Sequence, residues 1–189
     1  MRFLLGAITV IIVGAILSLV VIFSGVCSVA ATQEDPAIVQ WVLSTAMDHS
    51  VENHAKSITA PALDNAAMRQ AGFVHYDQMC VMCHGAPGAS RGRFARGLNP
   101  EPPSLAPEIE EWSPAELFWI TKHGIKMTGM PAFSPTRSDD EIWSIVAFLQ
   151  TLPDLTPEQY LAMRKPQTAA QPADTTKPRQ TERHDDNHR

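Results

Sequence analysis

The hydrophobic and polar positions divide the chain into an apolar lead, a helical middle and a polar end. Phe3 to Phe23 is a run of 21 residues without a charge, 17 of them apolar. About 20 such residues, rising 1.5 Å each in a helix, cover the ~30 Å hydrocarbon layer of a membrane. After a polar stretch, Ile38, Val39, Val42 and Ala46 recur at helical spacing, which predicts a juxtamembrane helix from Ala37 to about Lys56. Asp35-Pro36 reads as its N-cap with proline in the first turn, and Ala60-Pro61 breaks the pattern. Asn65 to Met79 predicts a further helix, running directly into the Cys80 motif. Ser113-Pro114 with Glu116 forms a capping-box signature opening a helix over Ala115 to Lys122, with Gly124 to end it. Ser138 and Glu141 repeat the signature before a helix through Leu152, where Pro153 stops it. Thr156-Pro157 caps one more, ending near Lys165. From Pro166 onward the sequence is polar and aperiodic, the composition of a disordered tail. No alternating pattern predicts strands, so the expected fold class is all-α.

Composition sharpens this picture. The chain of 189 residues is 44% hydrophobic, and outside the apolar lead the share falls to about 39%. That is thin for a domain whose core is built from side chains alone. The formal charge of −5 disfavours nucleic acid, since phosphate contacts need a basic face. Arg2 precedes the apolar run, and positive charge stays in the cytoplasm. The expected orientation therefore has the amino terminus inside and everything after Gln33 outside. Ser28-Val29-Ala30 is compatible with cleavage as a signal peptide, but the apolar run is long for a signal core and favours an uncleaved anchor. Cys27 lies at the end of this run. Val26 before it fits a lipoprotein signal poorly, so Cys27 reads as a buried apolar cysteine.

The chemistry is carried by Cys80-Val81-Met82-Cys83-His84, the attachment pattern for c-type haem. Residues three apart share a helix face, so both thiols can meet the vinyl groups on one porphyrin edge while His84 turns its imidazole to the iron. A thioredoxin-like pair would need a βαβ setting, and a zinc site a second ligand pair; neither is present. A sixth ligand must come from elsewhere. A thioether suits haem iron, and Met130, stiffened by Pro131, is the choice; Met127 and His123 are the rivals. The stretch from Gly85 to Glu111, rich in glycine and proline, reads as a long loop, which is unusual unless it surrounds something. Arg91, Arg93 and Arg96 read as a solvated loop face, with a haem propionate or a docking partner as the sharper alternative. Trp112 and Trp119 read as pocket or core packing rather than a stacking platform, His49 and His54 as surface or packing residues, and Glu108, Glu110 and Glu111 as a solvated acidic face.

These residues resemble the class I cytochrome c family, including the small haem subunits of respiratory complexes. Gly72, Tyr76 and Cys80 fall four apart, as in that family's first helix. Trp143 to Leu152 is similar to its last helix, with Phe148 and Leu149 in packing positions. Met130-Pro131-Ala132-Phe133 resembles its axial-methionine loop. The resemblance covers about residues 65 to 153. It implies a class I cytochrome c-like helical domain wrapped around one haem, preceded by one transmembrane helix. It also implies a loop-proline carbonyl bonded to the ligand histidine, for which Pro87, Pro100, Pro102 and Pro103 are all candidates.

The expected organisation is an anchor or signal segment at 1–33, a juxtamembrane helical linker at 34–64, the cytochrome c domain at 65–153, a short helix at 154–165 and a disordered tail at 166–189. The expected function is electron transfer, not enzymatic turnover. One covalent haem c on Cys80 and Cys83, with His84 and Met130 as axial ligands, would sit on the periplasmic side of a bacterial cytoplasmic membrane. The partners would be redox proteins or a membrane respiratory complex, with no small-molecule substrate. The alternatives are a ligand-binding or catalytic haem with a labile sixth position, and a mainly structural membrane subunit.

Overall fold

The computed structural model describes residues 2–170, and side chains through residue 165. It is helical throughout, with no strand among the described residues. The apolar lead forms α1 (Arg2–Ser24), exposed along its whole length and long and apolar enough to cross a membrane. Cys27, expected to be buried, is exposed in the link beyond α1, and α2 (Ala37–Ala55) follows. Its N-cap is Pro36, without a side-chain capping bond; the expected Asp35 cap is not formed.

α3 (Ala66–His75) is capped by Asn65, whose side chain accepts from the N–H groups of Ala67 and Met68. As expected, the helix runs directly into the cysteine motif. The chain passes through one π-helical turn, Tyr76–Cys80, into α4 (Val81–His84). The N–H of Val81 donates to the Tyr76 carbonyl, the wider pitch that marks a π-bulge. α5 (Leu105–Glu108), α6 (Pro114–His123), α7 (Asp139–Leu149) and α8 (Pro157–Ala170) complete the order. Both predicted capping boxes form in full, Ser113 with Glu116 and Ser138 with Glu141. The Gly85–Glu111 stretch is not free of helix. It holds two 3-10 turns, Arg93–Gly97 and Ile109–Glu111, besides α5. α8 runs past Lys165 into the segment expected to be disordered; the tail from 171 onward lies outside the described residues.

The core is built where α3 crosses α7. A Cβ on Gly72 would lie 1.8 Å from the Ser144 carbonyl oxygen, so only glycine permits this approach. Phe73 is enclosed edge-on by Phe148 and Tyr160, at 5.5 and 5.4 Å between ring centroids. Fully burying such a ring contributes about 2–3 kcal/mol. Phe118 of α6 stacks on Trp143 of α7 at 4.1 Å. Tyr160 brings α8 into this core, and its hydroxyl donates to Asp77 on the π turn, 2.8 Å away.

α2 meets the rest of the domain through its second half, where Val51 and Ala55 are buried. The stripe that predicted this helix is not the side that packs: Ile38, Val39 and Val42 are exposed.

Candidate haem-attachment site

The π turn delivers the cysteine pair. Cys80 closes it, buried, and Cys83 follows half-buried in α4; both are free thiols. Burial, and then the neighbouring Cys83, push the Cys80 thiol up to about 12. Burial raises Cys83 as well. Both therefore remain thiols at neutral pH, unlike cysteines that bind metal as thiolates. Among the described residues no group of three or more His, Cys, Asp or Glu gathers around this pair.

His84 ends α4, and Gly85 turns the chain away with φ +69°. Tyr76 fixes this corner, its hydroxyl donating to the Gly85 carbonyl at 2.6 Å. The imidazole Nδ1 of His84 lies 2.9 Å from the Pro103 carbonyl oxygen. A carbonyl only accepts, so Nδ1 carries the proton and Nε2 is left with a lone pair. Burial lowers the His84 pKa most; the Pro103 carbonyl pulls it up and Arg91 pulls it down, leaving it below the ordinary value. The ring is thus neutral at pH 7, the form that ligates a metal. Of the four candidate prolines, Pro103 is the one in contact.

Arg91 supports that strap. Its guanidinium donates to Glu101 at 2.9 Å and to the Pro102 carbonyl, so it holds the backbone on which Pro103 sits. Arg91 is thus paired within the loop and not simply solvated. Arg93 and Arg96 are exposed, in keeping with a loop face.

In the loop after α6, Met130 is half-buried, while Met127 is 86% exposed with φ 60°. The methionine loop completes the C-terminus of α6. Phe133 and Ser134 N–H groups donate to the Thr121 and Lys122 carbonyls, at 3.3 and 3.1 Å, supplying partners the helix end lacks. The Met130 carbonyl accepts from Ile125 N–H, and its own N–H donates to the Thr128 hydroxyl oxygen. Gly129 faces Leu98 at a separation that a Cβ would close to 2.8 Å, so the two flanking loops touch there. His123, the other rival ligand, is exposed and tilts against Trp119 at 5.1 Å. Trp119 also stacks on His54 of α2 at 5.3 Å. It therefore packs between α2 and α6, and Trp112 packs against the core.

The residues fit haem c: two free thiols three apart, a neutral imidazole with one nitrogen free, and a methionine on a loop tied to the facing helix. A helical domain with this motif and this histidine–proline bond belongs to the c-type cytochromes. Residues 67–149 match the family described as cytochrome c oxidase, cbb3-type, subunit III. This segment is a class I-like c-type cytochrome domain, and the class implies covalently bound haem c and haem-based electron transfer. No curated protein matches the chain.

Proposed function

We propose that the chain is a tethered single-electron carrier. It holds one haem c on Cys80 and Cys83, with His84 and Met130 as the axial ligands. Haem c, when bound, supplies a redox centre that gains or loses one electron. The protein's part is to hold the ligands still. The Pro103 carbonyl fixes the His84 ring and makes its free nitrogen a better donor. The strap from Ile125 to Ser134 fixes the backbone of Met130. With both axial positions filled, no site stays open for a substrate.

α1 tethers the domain to the outer face of a bacterial cytoplasmic membrane, where it acts as a shuttle or as a fixed subunit of a respiratory oxidoreductase complex. Arg2 before the apolar run supports this orientation. Copurification with a membrane oxidoreductase after mild solubilisation is the result expected of a subunit.

The observation that carries the proposal is the 2.9 Å bond from His84 Nδ1 to Pro103. The test is absorption spectroscopy of the full chain, made in a host with haem-attachment machinery and held in mild detergent. The parent is expected to be low-spin, to show the ferric methionine–iron band, and to ignore carbon monoxide when reduced. Met130→Ala should lose the band and bind the gas. A parent that already binds carbon monoxide readily would put a ligand-binding haem in place of the carrier.

A further inference from the structure

The first half of α2 is apolar on the side that faces away from the haem domain. At 3.6 residues per turn, Gln40, Ser44, Val51 and Ala55 fall along one line of the helix. Val51 and Ala55 on that line are buried against the domain. Ile38, Val39, Val42 and Ala46 fall on the opposite side, with Leu43 at its edge, and all are exposed. Trp41, 62% exposed, sits at the border between the two faces. Past Met47 the outward side turns polar, with His49, Glu52 and Asn53.

From Ala37 to Met47 there is no charge. Eleven residues rise only about 16 Å, too short to span a bilayer. An uncharged segment of this length is ordinarily a core helix or an interfacial one. Its exposure excludes the core. The acidic pair Glu34 and Asp35 before it, and Asp48 and Glu52 after it, mark both ends as hydrated. A short apolar stretch bounded by charged residues at both ends suits a membrane interface, where tryptophan is enriched.

The connection to α1 favours a bilayer over a protein as the occupant. α1 ends at Ser24 and α2 begins at Ala37. The 12 intervening residues reach at most about 40 Å when fully extended, so the start of α2 cannot leave the neighbourhood of the membrane surface. We infer that the Ile38–Val39–Val42–Leu43–Ala46 face of α2 is seated in the outer leaflet of the membrane that α1 crosses, and so sets the pose of the haem domain over the bilayer. The inference rests on the anchoring role of α1 proposed above. Because the segment carries no lysine or arginine, its seating does not depend on anionic lipid.

The test is lipid photo-crosslinking of the full haem-loaded chain in vesicles of phosphatidylcholine carrying a diazirine on the acyl chain, with and without phosphatidylglycerol. Adducts are mapped by peptide mass spectrometry. Adducts are expected on α1 and on residues 38–46 at either lipid composition, and none on α7. Ile38→Glu with Val42→Glu, both exposed positions that leave the packing intact, should lose the 38–46 adducts and keep those on α1. Labelled α1 with a bare 38–46 segment would overturn the inference while leaving the anchor standing. So would crosslinks joining 38–46 to a second copy of the chain. An unlabelled α1 would remove the anchor itself, and the inference with it.

Discussion

The His84 and Met130 flanks are held by different means. His84 is part of a helix whose root is in the core: Gly72, Phe73, Tyr76 and Cys80 are all buried on one line. Its ring is steadied from 19 residues away by Pro103. Met130 has no helix of its own. Its backbone is hung on the last turn of α6 by short-range bonds, and Gly124 lets it come close. One flank depends on covalent attachment and long-range packing, the other on a local strap. Damage to the first should remove the cofactor; damage to the second should leave it attached but altered.

The largest effect should follow from breaking the attachment. Cys80→Ser with Cys83→Ser is expected to abolish covalent haem, read as loss of haem-stained protein on a denaturing gel. Retention of covalent haem in this variant would refute the assignment of the cysteines.

Next comes Gly124→Ala. Gly124 has φ 65° and ψ −173°, a region open essentially to glycine, where another residue costs on the order of 1–3 kcal/mol. Its Cβ would also lie 2.6 Å from the Pro131 carbonyl carbon and 2.7 Å from the Met130 oxygen. The expected outcome is covalent haem in normal yield with a weakened methionine–iron band, and a loss of stability of at least about 2 kcal/mol. An unchanged ferric spectrum would show that the strap does not position Met130.

Thr128→Val should do the same more mildly. It removes the bond from the Thr128 hydroxyl to Ile125 and the one from Met130 N–H to Thr128, each worth about 1 kcal/mol. Carbon monoxide, which the parent is expected to ignore, should bind a small fraction of the reduced variant. A variant that ignores the gas as fully as the parent would count against this role.

The same contrast between local and long-range contacts decides what the sequence discloses. Capping boxes are local, and Ser113–Glu116 and Ser138–Glu141 are where the spacing puts them. The Cys80–Cys83–His84 motif and the Gly72 crossing are legible because each rests on residues three or four apart. Pro103 is not singled out by the sequence, because only the path of the long loop decides which of four prolines returns to the ring. Arg91 is hidden for the same reason: its partners Glu101 and Pro102 lie ten and eleven residues on. The π turn leaves no signature in Tyr76–Cys80. The apolar stripe of α2 predicts the helix correctly but misleads about its packing, since apolar residues at helical spacing do not say whether protein or lipid covers them.

The smallest predicted effect concerns the seam between the two flanks. His75 of α3 faces Glu141 of α7 at 3.8 Å. Arg137, at the end of the methionine loop, lies 3.6 Å from the same carboxylate and donates to Met79 on the π turn. Burial lowers the His75 pKa most and Arg137 adds to this, against the opposing pull of Glu141. The folded protein therefore resists protonation there more than the unfolded chain, whose histidine titrates near 6.5. Below that pH the unfolded state takes up the proton first, so stability falls as pH drops from about 6.5 to the lowered folded value, and is regained above it. Urea unfolding of the haem-loaded chain at pH 7.5 and pH 5.5 should show this loss, and His75→Gln should reduce it without changing the methionine–iron band. Equal pH dependence in parent and variant would mean that the acid sensitivity lies elsewhere in the domain.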